Sequence, residues 1–412
     1  MAVLKILNNM QILDLSNKPR VKGARFFEAP VNQLYHPTGQ FGQDSCDLVY
    51  SRDLTDSKFL PILLKEWFYL VKKDGFLIID YIPGRICNFQ KLEETMWWLW
   101  NLKYDIIYHG SAEKSNFKNL TVKNPGLGYY RFICKKLEAT KRPGDDINKW
   151  TFGIITKGDR NDWMDEMIVA IRAQKIPEFE IIVCGTYFDR NEKDFKYIPF
   201  FDRDEKGWIT KKKNLIAREA KYENLCILHD RIVLDKNWFT GIKKYGNAFD
   251  ILCNRQTLRG NGIRAGDWLT YGYGTLNSPY GISELRYNDW DEYVYMGGQV
   301  SILKKSIWEE CPWNETLYWG EEDVELSFRF RDVGYLIRFN EFSSCSALAW
   351  RFGKLPSKYY SSEGLLPKDM LVRRFLRHIN KILFSVPFLK QITTPIVVKI
   401  IKSKLYNLVI HS

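Results

Sequence analysis

Three stretches, taken in order, decide the architecture: Thr151-Phe152-Gly153-Ile154-Ile155-Thr156, Phe179-Glu180-Ile181-Ile182-Val183-Cys184-Gly185 and Leu225-Cys226-Ile227-Leu228-His229-Asp230. Each is a short apolar run rich in β-branched residues that ends on polar or glycine residues, which is the signature of a buried strand. Residues 164–174 between the first two show helical periodicity, and Lys213-Asn214 opens a helical segment before the third. Strand, helix, strand in succession implies parallel neighbours in a doubly wound α/β sheet. In such sheets ligands sit beyond the carboxyl ends of the strands. Attention therefore falls on the residues after Thr156, Val183 and Leu228.

The rest of the chain is consistent with a globular protein of two or three domains. It has 412 residues, 45% hydrophobic and 27% charged, which excludes disorder, collagen and a coiled coil. Aromatics reach 15%, suited to large cores or to stacking on sugar and base rings. The net charge of +12 is unevenly spread. Residues 1–140 hold 19 Lys and Arg against 14 acids, residues 365–412 hold 9 against one, and the middle of the chain, with 33 against 34, is neutral. A basic balance points to nucleic acid, an anionic membrane or a phosphorylated substrate. The eight cysteines are scattered, without a C-x-x-C pair, and read as reduced, buried thiols of a cytosolic protein. The start, Met1-Ala2-Val3-Leu4-Lys5, lacks signal-peptide architecture, and no apolar run reaches the roughly 18–20 residues of a membrane-spanning helix.

These patterns divide the chain into residues 1–140, an α/β block; 150–360, a second α/β block; and 365–412, a basic helical tail. In the first block, strands are expected at 11–15, 46–50, 75–81 and 129–134, with a helix through Leu60, Leu63, Leu64, Trp67, Leu70 and Val71. Residues 135–146, polar and containing Pro143-Gly144, read as a linker.

About ninety residues after Asp230 comes Trp319-Gly320-Glu321-Glu322-Asp323-Val324-Glu325-Leu326. With the three strands before it, this string resembles the GT-A glycosyltransferases, in particular the family 2-like group that uses nucleotide-sugar donors. The resemblance covers about residues 150–355. It implies a GT-A fold, a nucleotide-sugar donor, a glycan or lipid-linked acceptor of cell-surface polysaccharide synthesis, and inverting transfer. A diphosphate leaving group needs a divalent cation or positive side chains. In the family an acidic D-x-D motif holds that metal, and here only Asp230 matches. Asp230 with His229 is the expected site for Mn²⁺ or Mg²⁺, and Arg231 is placed to supply charge where the other acid is missing. The other reading of Asp230 is a strand-end cap, and of His229 a structural hydrogen-bonding residue. Ser346–Phe352 offers no later ligand His.

The resemblance also implies a base from a Glu-Asp pair. Asp323 matches that base, and Glu322 matches the acid that contacts a sugar. Adjacent acids raise one another's pKa, which suits a base; the alternative is that they favour a helix N-terminus electrostatically. Trp319 and Glu321 are expected at the acceptor, with core packing the alternative for Trp319. Thr156, Gly185, Thr186, Lys213, Asn214, Gly297 and Gly298 are the further donor candidates, with Asp230 and Arg231. Lys211, Lys212 and Lys213 either face the diphosphate or form a solvated charge run. Gly297-Gly298 either lets backbone approach the donor sugar or makes a tight turn.

The first block, through Asp47-Leu48-Val49-Tyr50-Ser51, Phe76-Leu77-Ile78-Ile79-Asp80-Tyr81 and Gly128-Tyr129-Tyr130-Arg131-Phe132-Ile133, resembles class I S-adenosylmethionine methyltransferases. Those enzymes cradle the cofactor on a glycine-rich turn after the first strand. Here Leu13-Asp14-Leu15-Ser16-Asn17-Lys18-Pro19 has no glycine, although Glu28 remains a candidate for a ribose. The block is therefore expected to be a degenerate module for docking, dimerisation or acceptor presentation, without S-adenosylmethionine. In the tail, Leu371, Phe375, Ile379, Leu383 and Val386 share one helical face, with Arg373, Arg374, Arg377 and Lys381 largely off it. A basic amphipathic helix of this kind suits an anionic membrane surface, here the cytoplasmic face; packing on the catalytic block is the alternative. No nucleic-acid reader motif is present, so nucleic acid is not an expected partner.

Overall fold

The computed structural model describes residues 10–29, 34–52, 59–84, 88–97, 99, 101–115, 125–203, 207–260, 262–271, 282–290, 292–318, 322–349 and 360–361. The basic tail lies outside the described residues, as do Trp319 and Glu321. Among the described residues, no helix is long and apolar enough to cross a membrane.

The first block forms a six-stranded sheet. Its strands are β1 (Ile12–Asp14), β2 (Arg25–Phe26), β3 (Cys46–Arg52), β4 (Val71–Tyr81), β5 (Tyr104–Ser111) and β6 (Tyr130–Lys136), ordered β2-β1-β3-β4-β6-β5. Strands β1 to β4 run parallel, and β6 is antiparallel to both of its neighbours. Helices α1 (Thr38–Phe41), α2 (Leu60–Leu70) and α3 (Phe89–Trp97) accompany it. The expected helix and strands are present, with β4 beginning four residues early, directly after α2. Strand β5 and helix α3 were not anticipated.

The second block holds an eight-stranded sheet. Its strands are β7 (Lys149–Ile155), β8 (Glu178–Gly185), β9 (Phe195–Pro199), β10 (Asn224–His229), β11 (Ile232–Leu234), β12 (Ile251–Leu258), β16 (Val300–Lys304) and β17 (Ile337–Ala347). Their order is β11-β17-β12-β16-β10-β7-β8-β9. The β10-β7-β8-β9 half is parallel. The other half is mixed, because β16 runs antiparallel to both β10 and β12. The parallel pairing expected of the first three strands is thus joined to a mixed half. Strands β13 (Leu269–Tyr271), β14 (Ile282–Glu284), β15 (Val294–Tyr295) and β18 (Tyr360–Ser361) make a separate small sheet. The helices are α4 (Asn161–Ala173), α5 (Ile209–Glu219), α6 (Trp238–Tyr245), α7 (Lys305–Glu310) and α8 (Glu322–Asp332). Helix α4 buries Met164, Met167, Ile168 and Ile171, a one-face spacing that lays it on the sheet. The seven described cysteines are free and buried.

Helix α2 explains how the blocks are joined. All eleven of its residues are buried, including Lys65 and Glu66. A helix buried all round must lie between two layers, and a charge buried in it must be paired. Lys65 Nζ lies 3.1 Å from Asp250 Oδ2 and donates to the Gly334 carbonyl at 2.6 Å and to Asn101 Oδ1 at 2.9 Å. Glu66 is 3.0 Å from Arg338 Nη1, contacts His36 Nδ1 at 2.8 Å, and accepts from Thr38 Oγ1 at 2.9 Å. Arg142 Nη2 donates to Asp250 Oδ1 at 2.7 Å. Burial alone pushes the Asp250 carboxyl up, but Lys65, Arg142 and Arg338 outweigh it and hold it below the ordinary carboxylate value.

Residues 135–146 are therefore no free linker. The backbone amides of Thr140 and Lys141 and the ammonium of Lys136 all donate to Asp44. Farther along, Lys304 Nζ donates to Asp145 Oδ1 at 2.6 Å. One continuous apolar cluster runs through both blocks, with Trp67 and Phe68 in the same core as Ile216, Ile251 and Trp308.

This seam predicts a sharp contrast. Asp250→Ala leaves Lys65 and Arg142 buried without their carboxylate and is expected to cost about 3–5 kcal/mol. Glu219→Ala, at the exposed pair with Lys196, is expected to leave the chemical-denaturation midpoint unchanged.

Candidate active site

The site forms where β7, β10 and β16 share one end of the large sheet. Register places Leu228 beside Ile154 and opposite Val300, so Thr156, Asp230 and Gly298 follow at the same edge. Asp250, Lys304 and Arg338, which make the seam, lie at the opposite ends of these strands: Leu303 of β16 pairs with Ile251, which in turn pairs with Ile337.

Close packing shapes the edge. Gly153 lets α5 approach β7, since a Cβ there would stand 2.5 Å from Ile216 Cγ2. Gly185 has φ +142°, and a Cβ would lie 2.0 Å from the Thr156 carbonyl oxygen. Gly158, at φ +91°, would meet Thr186 at 2.9 Å. The turns after β7 and β8 thus interlock. The Thr156 hydroxyl accepts from the Gly158 amide at 3.0 Å and donates to Asp230 Oδ2 at 3.0 Å. The other oxygen, Asp230 Oδ1, accepts from Arg160 Nη1 at 2.6 Å. Thr186 is exposed beside this turn.

Helix α5 opens at Ile209, four residues before the expected Lys213. Lys212 and Lys213 face inward, so neither a solvated run nor a set of free diphosphate ligands describes them. Lys212 Nζ donates to Asp202 Oδ2 at 2.7 Å and to the Thr156 carbonyl at 3.1 Å. Lys211 pairs with Glu315 at 3.1 Å. Asn214 is engaged within the protein. Its amide donates to the Trp313 carbonyl and to Glu315, and its oxygen accepts from Trp308 Nε1 and the Trp313 amide, so it ties down the loop 313–315.

Across the edge stands the acid pair. Gly298 N donates to Asp323 Oδ2 at 2.8 Å, and Val324 N donates to Asp323 Oδ1 at 2.9 Å. Lys213 Nζ donates to the Gly298 carbonyl at 2.7 Å. A Cβ on Gly298 would stand 3.2 Å from both Glu322 Oε1 and Asp323 Oδ2, so the glycine lets this strand end approach the acids. Gly297, also buried, precedes it. Enclosure of its carboxyl and the neighbouring Glu322 push the Asp323 pKa up to about 6, against Lys213 and the two amides. Burial lowers the Lys213 pKa, and both acids oppose that shift.

The donor set does not fit a divalent cation at Asp230. Both carboxylate oxygens carry protein donors, one of them a guanidinium. Among the described residues, no group of three His, Cys, Asp or Glu side chains converges. The guanidinium on Asp230 is that of Arg160, while Arg231 Nη2 lies 3.4 Å from Gln299 Oε1. The His229 amide donates to the Gln299 carbonyl and holds β10 to the start of β16. Arg160 gave no sequence signal, because its partner is seventy residues away.

No protein-family model matches the chain, and no curated protein does. Among solved structures it is similar to S. aureus TarS 1–349, at 18% identity over 56% of this chain and 64% of that one, with a TM-score of 0.31. The same TarS segment in complex with UDP aligns at 16% identity over 56% and 64%, with a TM-score of 0.32. GalNAc-T7 with UDP, GalNAc and Mn²⁺ aligns at 14% identity over 51% of this chain and 45% of that one, with a TM-score of 0.37. The chain spans less than two-thirds of each, and TM-scores this low leave the chemistry to rest on the residues themselves.

The interlocked turns yield a test. Gly185→Ala drives a Cβ into the Thr156 carbonyl and is expected to lower the thermal midpoint strongly. Gly23→Ala, at φ +80° with open space around it, should cost only backbone strain, on the order of 1 kcal/mol.

Proposed function

We propose that the chain is an inverting glycosyltransferase of the GT-A type. It moves a sugar from a nucleotide-sugar donor to a hydroxyl of a glycan or lipid-linked acceptor. The observation that carries this reading is the acid pair at the start of α8. Asp323, with its pKa pushed up to about 6, is joined to the strand end that faces Asp230 and Arg160.

In the proposed step, Asp323 takes the proton from the acceptor hydroxyl. The freed oxygen bonds to the anomeric carbon as the bond from that carbon to the β-phosphate oxygen breaks. The electron pair leaves with the diphosphate, and the configuration inverts. A carboxylate near pKa 6 is largely deprotonated at neutral pH yet more basic than an ordinary Asp, which favours proton transfer. The amides of Gly298 and Val324 fix its two oxygens, so the acceptor has to meet it in one orientation. Lys213 sets the Gly298 peptide and opposes the rise of the Asp323 carboxyl.

The first block we read as a structural module with no S-adenosylmethionine chemistry. The turn after β1 is closed by its own acid: Asp14 accepts the amides of Ser16, Arg20 and Val21. Ala29, just past Glu28, is tied to the Ser16 carbonyl. Those amides are the groups a bound cofactor would need, so the residues do not fit it. The segment 365–412, with its charge of +8, we read as the part that attracts an anionic membrane.

Three outcomes are expected. Asp323→Asn keeps the fold and loses about 10²–10⁴-fold of donor-dependent transfer; unchanged transfer would remove Asp323 from the base role. The kcat/KM profile rises with pH through about 6 as Asp323 deprotonates, and Glu322→Gln moves that limb to lower pH by removing the like charge. Saturating S-adenosylmethionine leaves the thermal midpoint unmoved, and a rise would contradict the structural-module reading.

A further inference from the structure

We propose that Arg160 supplies the positive charge on the leaving diphosphate, so that the site takes a nucleoside diphosphate without a divalent cation. This rests on the glycosyltransferase reading above and deepens it.

Asp230 stands at the strand end where an acid would hold a metal, yet its Oδ1 carries the guanidinium of Arg160 at 2.6 Å and its Oδ2 carries the Thr156 hydroxyl at 3.0 Å. Each oxygen keeps a second lone pair, but a cation bound there would sit beside the permanent positive charge that Arg160 already places on this carboxylate. Asp230 is itself buried, at 6% exposed, and the Thr156–Gly158 turn fixes its orientation. The acid is therefore built to hold Arg160 in place.

Arg160 has the features its role requires. Its side chain is 33% exposed, so the guanidinium is reachable. Its Nη1 is engaged by Asp230, and its Nη2 lies 4.0 Å from Asp159. The guanidinium stands 5.4 Å from the Trp163 ring, which steadies it on the first turn of α4. With Nη1 held by Asp230, the remaining N–H groups of the guanidinium are those that would meet phosphate oxygens. The lysines that the sequence singles out here are committed elsewhere: Lys212 to Asp202 and the Thr156 carbonyl, Lys213 to the Gly298 carbonyl beside the acid pair.

The test is calorimetric titration of UDP, GDP and dTDP into the full chain, once in EDTA and once in Mn²⁺. Arg160→Ala, Arg160→Lys and the matching nucleoside monophosphates complete the set. The expected result is one diphosphate bound with the same Kd in both buffers. Arg160→Ala then weakens it tenfold or more, Arg160→Lys recovers part of the loss, and the monophosphate changes little. The comparison of buffers uses the unaltered chain, so it stands even where a variant folds poorly. Binding that requires Mn²⁺, or Arg160→Ala binding as tightly as the parent, overturns the assignment to Arg160 while leaving the glycosyltransferase reading intact. No binding of any of the three in either buffer overturns both.

Discussion

The amide of Gly298 donates to Asp323, and on that bond depends the meeting of the edge of the large sheet with the start of α8. Lys213 holds the same residue through the Gly298 carbonyl, in the next peptide. The start of β16, helix α5 and helix α8 are thus fixed to one glycine. The arrangement draws Glu322 and Lys213 out of water and half-buries Asp323, and enclosure by its surroundings is what raises the Asp323 carboxyl. A structure serving stability alone gains nothing from such a carboxyl. A folded-state pKa above the unfolded value weakens the fold as pH rises from the unfolded pKa toward about 6. That cost is typical of a site kept for chemistry.

The two ends of the large sheet divide the work. One end carries Thr156, Asp230, Gly298 and the acid pair. The other is locked to the first block through Lys65, Asp250, Arg142, Glu66 and Arg338. Buried pairs of this kind add little net stability compared with apolar packing, but breaking one is costly. Their effect is to fix how the blocks sit together. The first block thereby backs the sheet from the side away from the proposed transfer site.

What the sequence made legible follows from where each residue's partner lies. Strands β7, β8 and β10 were readable almost to the residue, because continuous apolar runs need only local pattern. The acids Glu322 and Asp323 stand out as a pair through the resemblance of their string to the family's acid pair. Strand β17 was not anticipated, since Arg338, Asn340, Ser343, Ser344 and Ser346 give it a polar face. Those groups find partners inside the protein: Arg338 with Glu66, Asn340 with Ser343, and Ser344 and Ser346 with Asp235. Residues 135–146 looked like a linker because Asp44, Asp250 and Lys304 are about a hundred residues or more from the groups they bind. The inward partners of Lys212 and Lys213, and the role of Arg160, are invisible in the sequence for the same reason. Charged residues with distant partners carry no local mark.

Transfer chemistry at Asp323 is the claim on which the functional account stands. Its most direct measurement is a mass-spectrometric screen of donor consumption by the full chain across UDP-, GDP- and dTDP-sugars, with the product's anomeric configuration read by NMR. The account predicts that one nucleotide class is consumed and that the configuration at the transferred carbon is inverted. Consumption of none of these donors, or a product of retained configuration, would contradict it.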